Sequence, residues 1–154
     1  MFREIKRAEL ALKNEDAAEL LKDSSYGVLS TVGEDGYAYG IPLNFVYEDG
    51  AVYFHSALKG HKLDNISFND KVSFCVIGEN RVIPSNLSTR YKSVIVFGKS
   101  KELTGEEKRD ALKLLVEKYA PAFRSSAFKH IETDFDSTAV FKITIEHMTG
   151  KYHK

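Results

Sequence analysis

Two short acidic turns, "GEDG" at 33–36 and "EDG" at 48–50, bracket a run in which Tyr37, Tyr39, Ile41, Leu43, Phe45 and Tyr47 fall at every second position. Period-two alternation is the pattern of a strand with one face buried, and Asp-Gly between such runs closes a tight hairpin. A chain with two tight hairpins this early is not a doubly wound parallel sheet, because parallel neighbours need a crossover segment between every pair. The sheet is expected to be antiparallel.

Five further segments extend that reading. "SYGVLSTV" precedes the first turn, "AVYFHS" follows the second, and "KVSFCVIG" and "YKSVIVFGKSKEL" come next. "TAVFKITIEHM", near the end, alternates Ala139, Phe141, Ile143 and Ile145 with Val140, Lys142, Thr144 and Glu146. With the long strand from Tyr37 to Tyr47, these make six strands. Helices fit only the connections. "NEDAAELLK" offers Asn14 as a cap, "GHKLDNISF" turns Leu63 and Ile66 inward, and Thr104 with Glu107 forms a capping box for a helix burying Ala111, Leu112, Leu115 and Tyr119. A second short helix fits "PAFRSSAFKHI", and the polar stretch from Glu79 to Arg90 reads as a long loop. The expected fold is mainly β: a six-stranded antiparallel barrel with peripheral helices, one domain over residues 1–154.

Composition narrows the function classes. A hydrophobic fraction of 43% with 29% charged residues is that of a folded globular chain. Lys and Arg total 22, as do Asp and Glu, which argues against a broad nucleic-acid or anionic-membrane surface while leaving room for a local basic pocket. No apolar run reaches the length of a membrane span, and "MFREIKRAEL" lacks the apolar centre of a signal peptide, so a cytoplasmic protein is expected. Cys75 stands alone and the five histidines are scattered, so neither a disulfide nor a metal centre is expected. Dinucleotide, P-loop and zinc-protease signatures are missing.

One segment remains chemically suggestive. "FHSALKGHKLDN" at 54–65 runs from a strand into a helix through His55, Ser56, Lys59, His61 and Lys62. The first amides of a helix lack intrahelical partners, and together with ammonium groups and a hydroxyl they make a phosphate cradle. The residues alone leave this open against a solvated strand-to-helix connection.

Y-G-I-P at 39–42, F-H-S-A at 54–57, G-H-K-L-D at 60–64 and Y-K-S-V-I-V-F-G at 91–98, in this order and spacing, resemble the split-barrel flavoproteins related to pyridoxamine 5'-phosphate oxidase, and within them the nitroimidazole-resistance group. The resemblance covers nearly the whole chain. It implies a homodimer binding FMN in clefts between subunits, with electrons passing from a nicotinamide donor through the flavin to a small aromatic or nitro acceptor. It assigns Tyr39, Gly40, Ile41, Pro42, Leu43 and Asn44 to the ring edge, Phe54, His55 and Ser56 to the ring and ribityl chain, and Lys59, His61 and Lys62 to the phosphate. Ser93 would approach the flavin, from the partner subunit. His55 is the expected catalytic group, steering substrate or donating a proton. Two departures stand out: Ala38 where the group has Pro, and Ser56 where it has Cys. The absence of any Trp sets the chain apart from true pyridoxamine-phosphate oxidases. A non-catalytic sensor or storage protein holding FMN or haem is the alternative.

Overall fold

Hairpin pairing dominates the architecture, as the turns require. The computed structural model describes residues 1–154. Helix α1 (Asn14–Asp23) leads into β1 (Gly27–Val32), which pairs with β2 (Ala38–Leu43) across the first turn. The second turn joins β3 (Val46–Glu48) to β4 (Ala51–Ser56). Then follow α2 (His61–Phe68), the long pair β5 (Lys71–Ile83) and β6 (Ser88–Glu102), α3 (Gly105–Tyr119), α4 (Arg124–Asp134) and β7 (Ala139–His153). Every pairing is antiparallel, in a single sheet ordered β2-β1-β5-β6-β7-β4-β3.

The mainly β antiparallel fold is as expected, but the sheet has seven strands, not six. The run from Tyr37 to Tyr47 breaks at Asn44–Phe45, and its halves lie at opposite edges of the sheet. Side-chain alternation survives the break, so the pattern alone did not reveal it: Ile41, Leu43 and Tyr47 all pack against the inner core, and Phe45 belongs to it. The stretch from Glu79 to Arg90 is likewise a hairpin arm, paired Glu79 to Lys92 and Ile83 to Ser88, with its turn at Pro84–Asn86. Its residues are mostly exposed, so no buried face imposes an alternation on the sequence. The last strand also continues past Met148 to His153.

Neither expected helix cap forms. Lys13 takes the N-cap position of α1, so Asn14 is already helical. At α3 the chain enters through Gly105 at φ 59, and Thr104 makes no side-chain cap bond.

Two apolar clusters follow from strand alternation. Inside the sheet, Leu29, Phe45, Phe54, Phe74, Val96 and Ile143 pack together, closed by Ala17 and Leu21 from α1 and Ile66 from α2. Phe45 meets Phe74 edge-on at 4.8 Å, and each such buried ring contributes on the order of 1.5–3 kcal/mol. Outside it, Val46 and Val140 pack under Leu112, Leu115 and Ile131 of α3 and α4. The other outer side stays open. There Ile77, Ile95 and Phe97 are exposed, and Phe2 of the N-terminal segment stacks on Phe97 and His147. No helix is long and apolar enough to cross a membrane.

The end of α3 pins the corner between β2 and β3. Lys118 Nζ donates to the carbonyls of Ser24 and Phe45 and lies 4.0 Å from the Phe45 ring centroid. The Tyr119 hydroxyl accepts from the Phe45 amide at 3.0 Å, and its hydrogen lies between Ser25 O at 2.6 Å and Phe45 O at 2.8 Å. This explains why Tyr119, expected in the core, is exposed: its hydroxyl rather than its ring does the holding.

Burial lowers the Lys118 ammonium from 10.5 to about 8, against a smaller opposing pull from Asp23. Between those values the unfolded chain keeps a proton that the folded chain has released, so this group makes stability rise with pH across that window. Urea midpoints at about pH 7 and about pH 9.5 should show this gain in the wild type and lack it in Lys118→Met. Equal pH responses in the two proteins would mean that the ammonium is not desolvated.

Candidate functional site

β2 and β4 each leave a backbone edge unpaired. β2 is a terminal strand bonded only to β1, so Ala38–Leu43 presents free amides and carbonyls along its other side. β4 is covered by β3 only as far as Tyr53, which leaves Phe54, His55 and Ser56 open on that side. Helix α2 links the two regions. The His61 ring stacks on Tyr39 of β2 with centroids 3.9 Å apart, and Asn65 Nδ2 donates to Thr31 Oγ1 of β1 at 3.0 Å in a buried contact. An open strand edge is normally a hazard that proteins cover or charge. Here two lie beside the start of one helix.

Cations collect at that start. Gly60 caps α2 at φ 157, a conformation that L side chains rarely adopt, and its carbonyl accepts from Leu63 and Asp64 at 3.1 Å. The amides of His61 and Lys62 precede this first bonded turn and point out of the helix. The ion pairs of the chain are Arg7–Glu9, Arg109–Glu106, Arg109–Glu132 and Arg124–Glu117. Lys59 and Lys62 belong to none of them. The nearest acidic residue in sequence, Asp64, is exposed.

His55 projects outward from β4 between its inward neighbours. Burial, and then the positive charge of Lys62, push its imidazole below the ordinary histidine value. It is therefore neutral near pH 7, with one ring nitrogen donating and the other accepting.

The expected site residues thus separate into three groups. Tyr39, His55, Lys59, His61 and Lys62 gather around the start of α2, while Gly40, Ile41, Pro42, Leu43 and Asn44 continue along the open edge of β2. Phe54 and Ser56 turn their side chains into the core, and Ser56 Oγ donates to Ala57 O at 2.9 Å. This corrects their expected part as side chains beside a ligand: only their backbone groups face the gap, because alternation on β4 sends the even positions inward. Ser93 lies elsewhere. It pairs with Ile77 and Lys151, whereas Ser56 pairs with Ala139 of the same β7, a separation on the order of 40 Å of strand.

A cavity of about 440 Å³ adjoins the site on its other side, between α3, α4 and the outer face of β4. Leu112, Leu115 and Ile131 form its apolar base, and Asn44, His55, Tyr119, His130 and Asp134 are among its lining residues. The sequence reading passed over His130 and Asp134. Their spacing of four on one helix was the available signal, but the expected helix stopped at Ile131.

The surroundings fit a flat, phosphate-bearing ligand: open backbone edges suit a hydrogen-bonding ring, and unpaired lysines beside free helix amides suit an anion. The family described as pyridoxamine 5'-phosphate oxidase matches residues 13–152. No curated protein matches the chain. Among solved structures, a candidate 5-nitroimidazole antibiotic resistance protein from Bacteroides thetaiotaomicron superposes with a TM-score of 0.76 at 22% identity, over 92% of this chain and 86% of that one. An FAD-binding protein from Mesorhizobium loti gives 0.68 at 24% identity, over 94% and 97%. An FAD and haem binding protein from Mycobacterium smegmatis gives 0.80 at 17% identity, over 92% and 72%. At these identities the likeness establishes the fold.

The electrostatic contact between Lys62 and His55 can be tested directly. Lys62→Ala should raise the His55 pKa, since the ammonium contributes to its depression, and should leave in place the part due to burial. An NMR titration of the imidazole ring protons measures this; an unchanged His55 midpoint would place Lys62 out of range.

Proposed function

This chain belongs to the pyridoxamine 5'-phosphate oxidase family, and from that membership we propose that it is an FMN-dependent oxidoreductase, active as a homodimer, that passes electrons from a nicotinamide donor to a small aromatic or nitro acceptor. The observation that carries this reading is the meeting of two unpaired strand edges with the uncompensated Lys59 and Lys62 at the start of α2. Flavin bound there supplies the two-electron chemistry, and the protein supplies position, charge and exclusion of water. FMN suits the site because its single terminal phosphate needs one cationic cradle.

Each residue then has a physical task. Lys59, Lys62 and the amides of His61 and Lys62 hold the phosphate. The Tyr39–His61 stack fixes the helix start against β2, so that the cradle and the ring-binding edge keep their spacing. The backbone from Gly40 to Asn44 offers hydrogen bonds to the ring edge. His55, neutral and outward-facing, donates a hydrogen bond or a proton to the substrate.

The dimer is proposed through the open sheet face. Val28, Cys75, Ile95 and Thr149 lie in one row across β1, β5, β6 and β7, and Ile95 and Phe97 are exposed hydrophobics with no helix over them. Ser93 is on this face beside Ile95, which is why a partner subunit is the route by which it would reach a flavin.

The visible spectrum of the purified protein, with identification of any ligand released on denaturation, tests the cofactor. Flavin bands and released FMN are expected; a Soret band would favour the haem-binding alternative, which the haem-binding relative keeps in view. Lys59→Ala with Lys62→Ala should weaken FMN binding by about 3 kcal/mol or more, roughly a hundredfold, as each charge-assisted hydrogen bond contributes about 1.5–3 kcal/mol. Circular dichroism should remain unchanged. Full flavin occupancy in the double variant would remove the phosphate assignment.

Ile95→Lys should convert the dimer to a monomer, read by light scattering, and release flavin along with it. A variant that stays dimeric would show that the subunits meet elsewhere.

A further inference from the structure

The cavity between α3, α4 and β4 has a composition unlike the cradle beside it. At about 440 Å³ it lies in the lower part of the roughly 300–1,000 Å³ range of small-molecule sites. Its base is aliphatic and buried, while His55, His130 and Asp134 stand at its rim. No lysine or arginine lines it, and Asp134 brings its one formal charge. Neither imidazole, nor the Asp134 carboxylate, has a hydrogen-bonding or ionic partner from the protein, whereas the Tyr119 hydroxyl is engaged at the corner and Asn44 Nδ2 donates to Ser25 O.

We propose that this cavity binds the electron acceptor, an uncharged molecule the size of one substituted aromatic ring, and that His130 and Asp134 select it. An apolar body fits the base formed by Leu112, Leu115 and Ile131, and a polar substituent meets the imidazoles. A nicotinamide dinucleotide does not fit, because its phosphates would find a carboxylate where they need a cation. Anionic aromatics are turned away for the same reason. His55 belongs to both sites: it stands on the outer face of β4 with Lys62 on one side and the cavity on the other. A ligand in the cavity is thereby placed against His55 and Asn44, which also border the proposed flavin. The electron-acceptor role rests on the flavin reading; the cavity's preference for an uncharged aromatic does not.

The test uses two probes of nearly equal shape, 4-nitrobenzyl alcohol and 4-nitrobenzoate, titrated calorimetrically into the oxidised protein as purified, so that no turnover is required. The neutral probe should bind about tenfold more tightly than the anion, and Asp134→Asn should largely close that gap. Ala127→Trp, which fills the cavity from α4 at a half-buried position, should weaken the neutral probe by about tenfold or more while flavin content stays as in the wild type. His130→Ala should weaken the neutral probe and leave flavin content unchanged. Equal binding of both probes, or an Ala127→Trp protein that binds as the wild type does, overturns the inference. Loss of flavin in Ala127→Trp or His130→Ala overturns it too, since the cavity would then belong to the cofactor. A protein that never takes up flavin yet shows the expected probe selectivity would uphold the cavity site and sink the flavin reading alone.

Discussion

Two residues at the end of α3 hold the sheet in the form that everything else requires. Had the run from Tyr37 to Tyr47 continued as one strand, its two halves would lie on the same edge and the sheet would have no gap. Instead the chain turns at Asn44–Phe45, and that turn leaves Phe45 with an amide and a carbonyl that no strand partner accepts or donates to. Tyr119 and Lys118 satisfy both groups. Burying an unpaired backbone group costs on the order of 1–3 kcal/mol, so the helix end does more than decorate the corner. It also ties down Ser24 and Ser25 after α1, and so joins the helix that plugs the barrel to the helix that roofs the outer cavity.

From that corner the site inherits its two unlike neighbourhoods. β2 and β4 end up with free edges beside the start of α2, where two lysines lack acidic partners. On the far side of β4, α3 and α4 enclose an apolar hollow whose only formal charge is negative. A chain with equal numbers of acidic and basic residues can still separate them locally, and net charge conceals this. His55 stands where the two environments meet. Its depressed pKa follows from that position: one side withdraws water and the other contributes a positive charge, and both disfavour the imidazolium.

Much of this could be read from the residues. The acidic-glycine turns specified antiparallel pairing, alternation near the end of the chain marked Ala139, Phe141 and Ile143 for the core, and the strand-to-helix segment announced its cations. What escaped was non-local. The break at Asn44–Phe45 is invisible to a periodicity that passes through it unchanged, and the group that holds Phe45 there lies 74 positions further along the chain, at Tyr119. The arm from Glu79 to Arg90 failed the strand pattern because solvent, not core, meets most of its side chains. Thr104 had the right spacing for a capping box and lost it to the left-handed Gly105 beside it. His130 and Asp134 gained meaning only when α4 folded over β4.

The placement of Ser93 carries the last step. Within one chain it is separated from the cradle by most of the length of β7, yet its segment shares with that cradle the resemblance to a flavin-binding group. Ser93 and the cradle of the same chain therefore do not meet on one ligand. The dimer proposed through the open face of β1, β5 and β6 is the arrangement that would bring Ser93 to the other subunit's gap. Ile95 and Phe97 are exposed on that same face, on a sheet whose other side is packed. Exposed apolar rows on a sheet mark an interaction surface, and the proposed dimer would account for the exposure of Ile95 and Phe97 and for the isolation of Ser93 together.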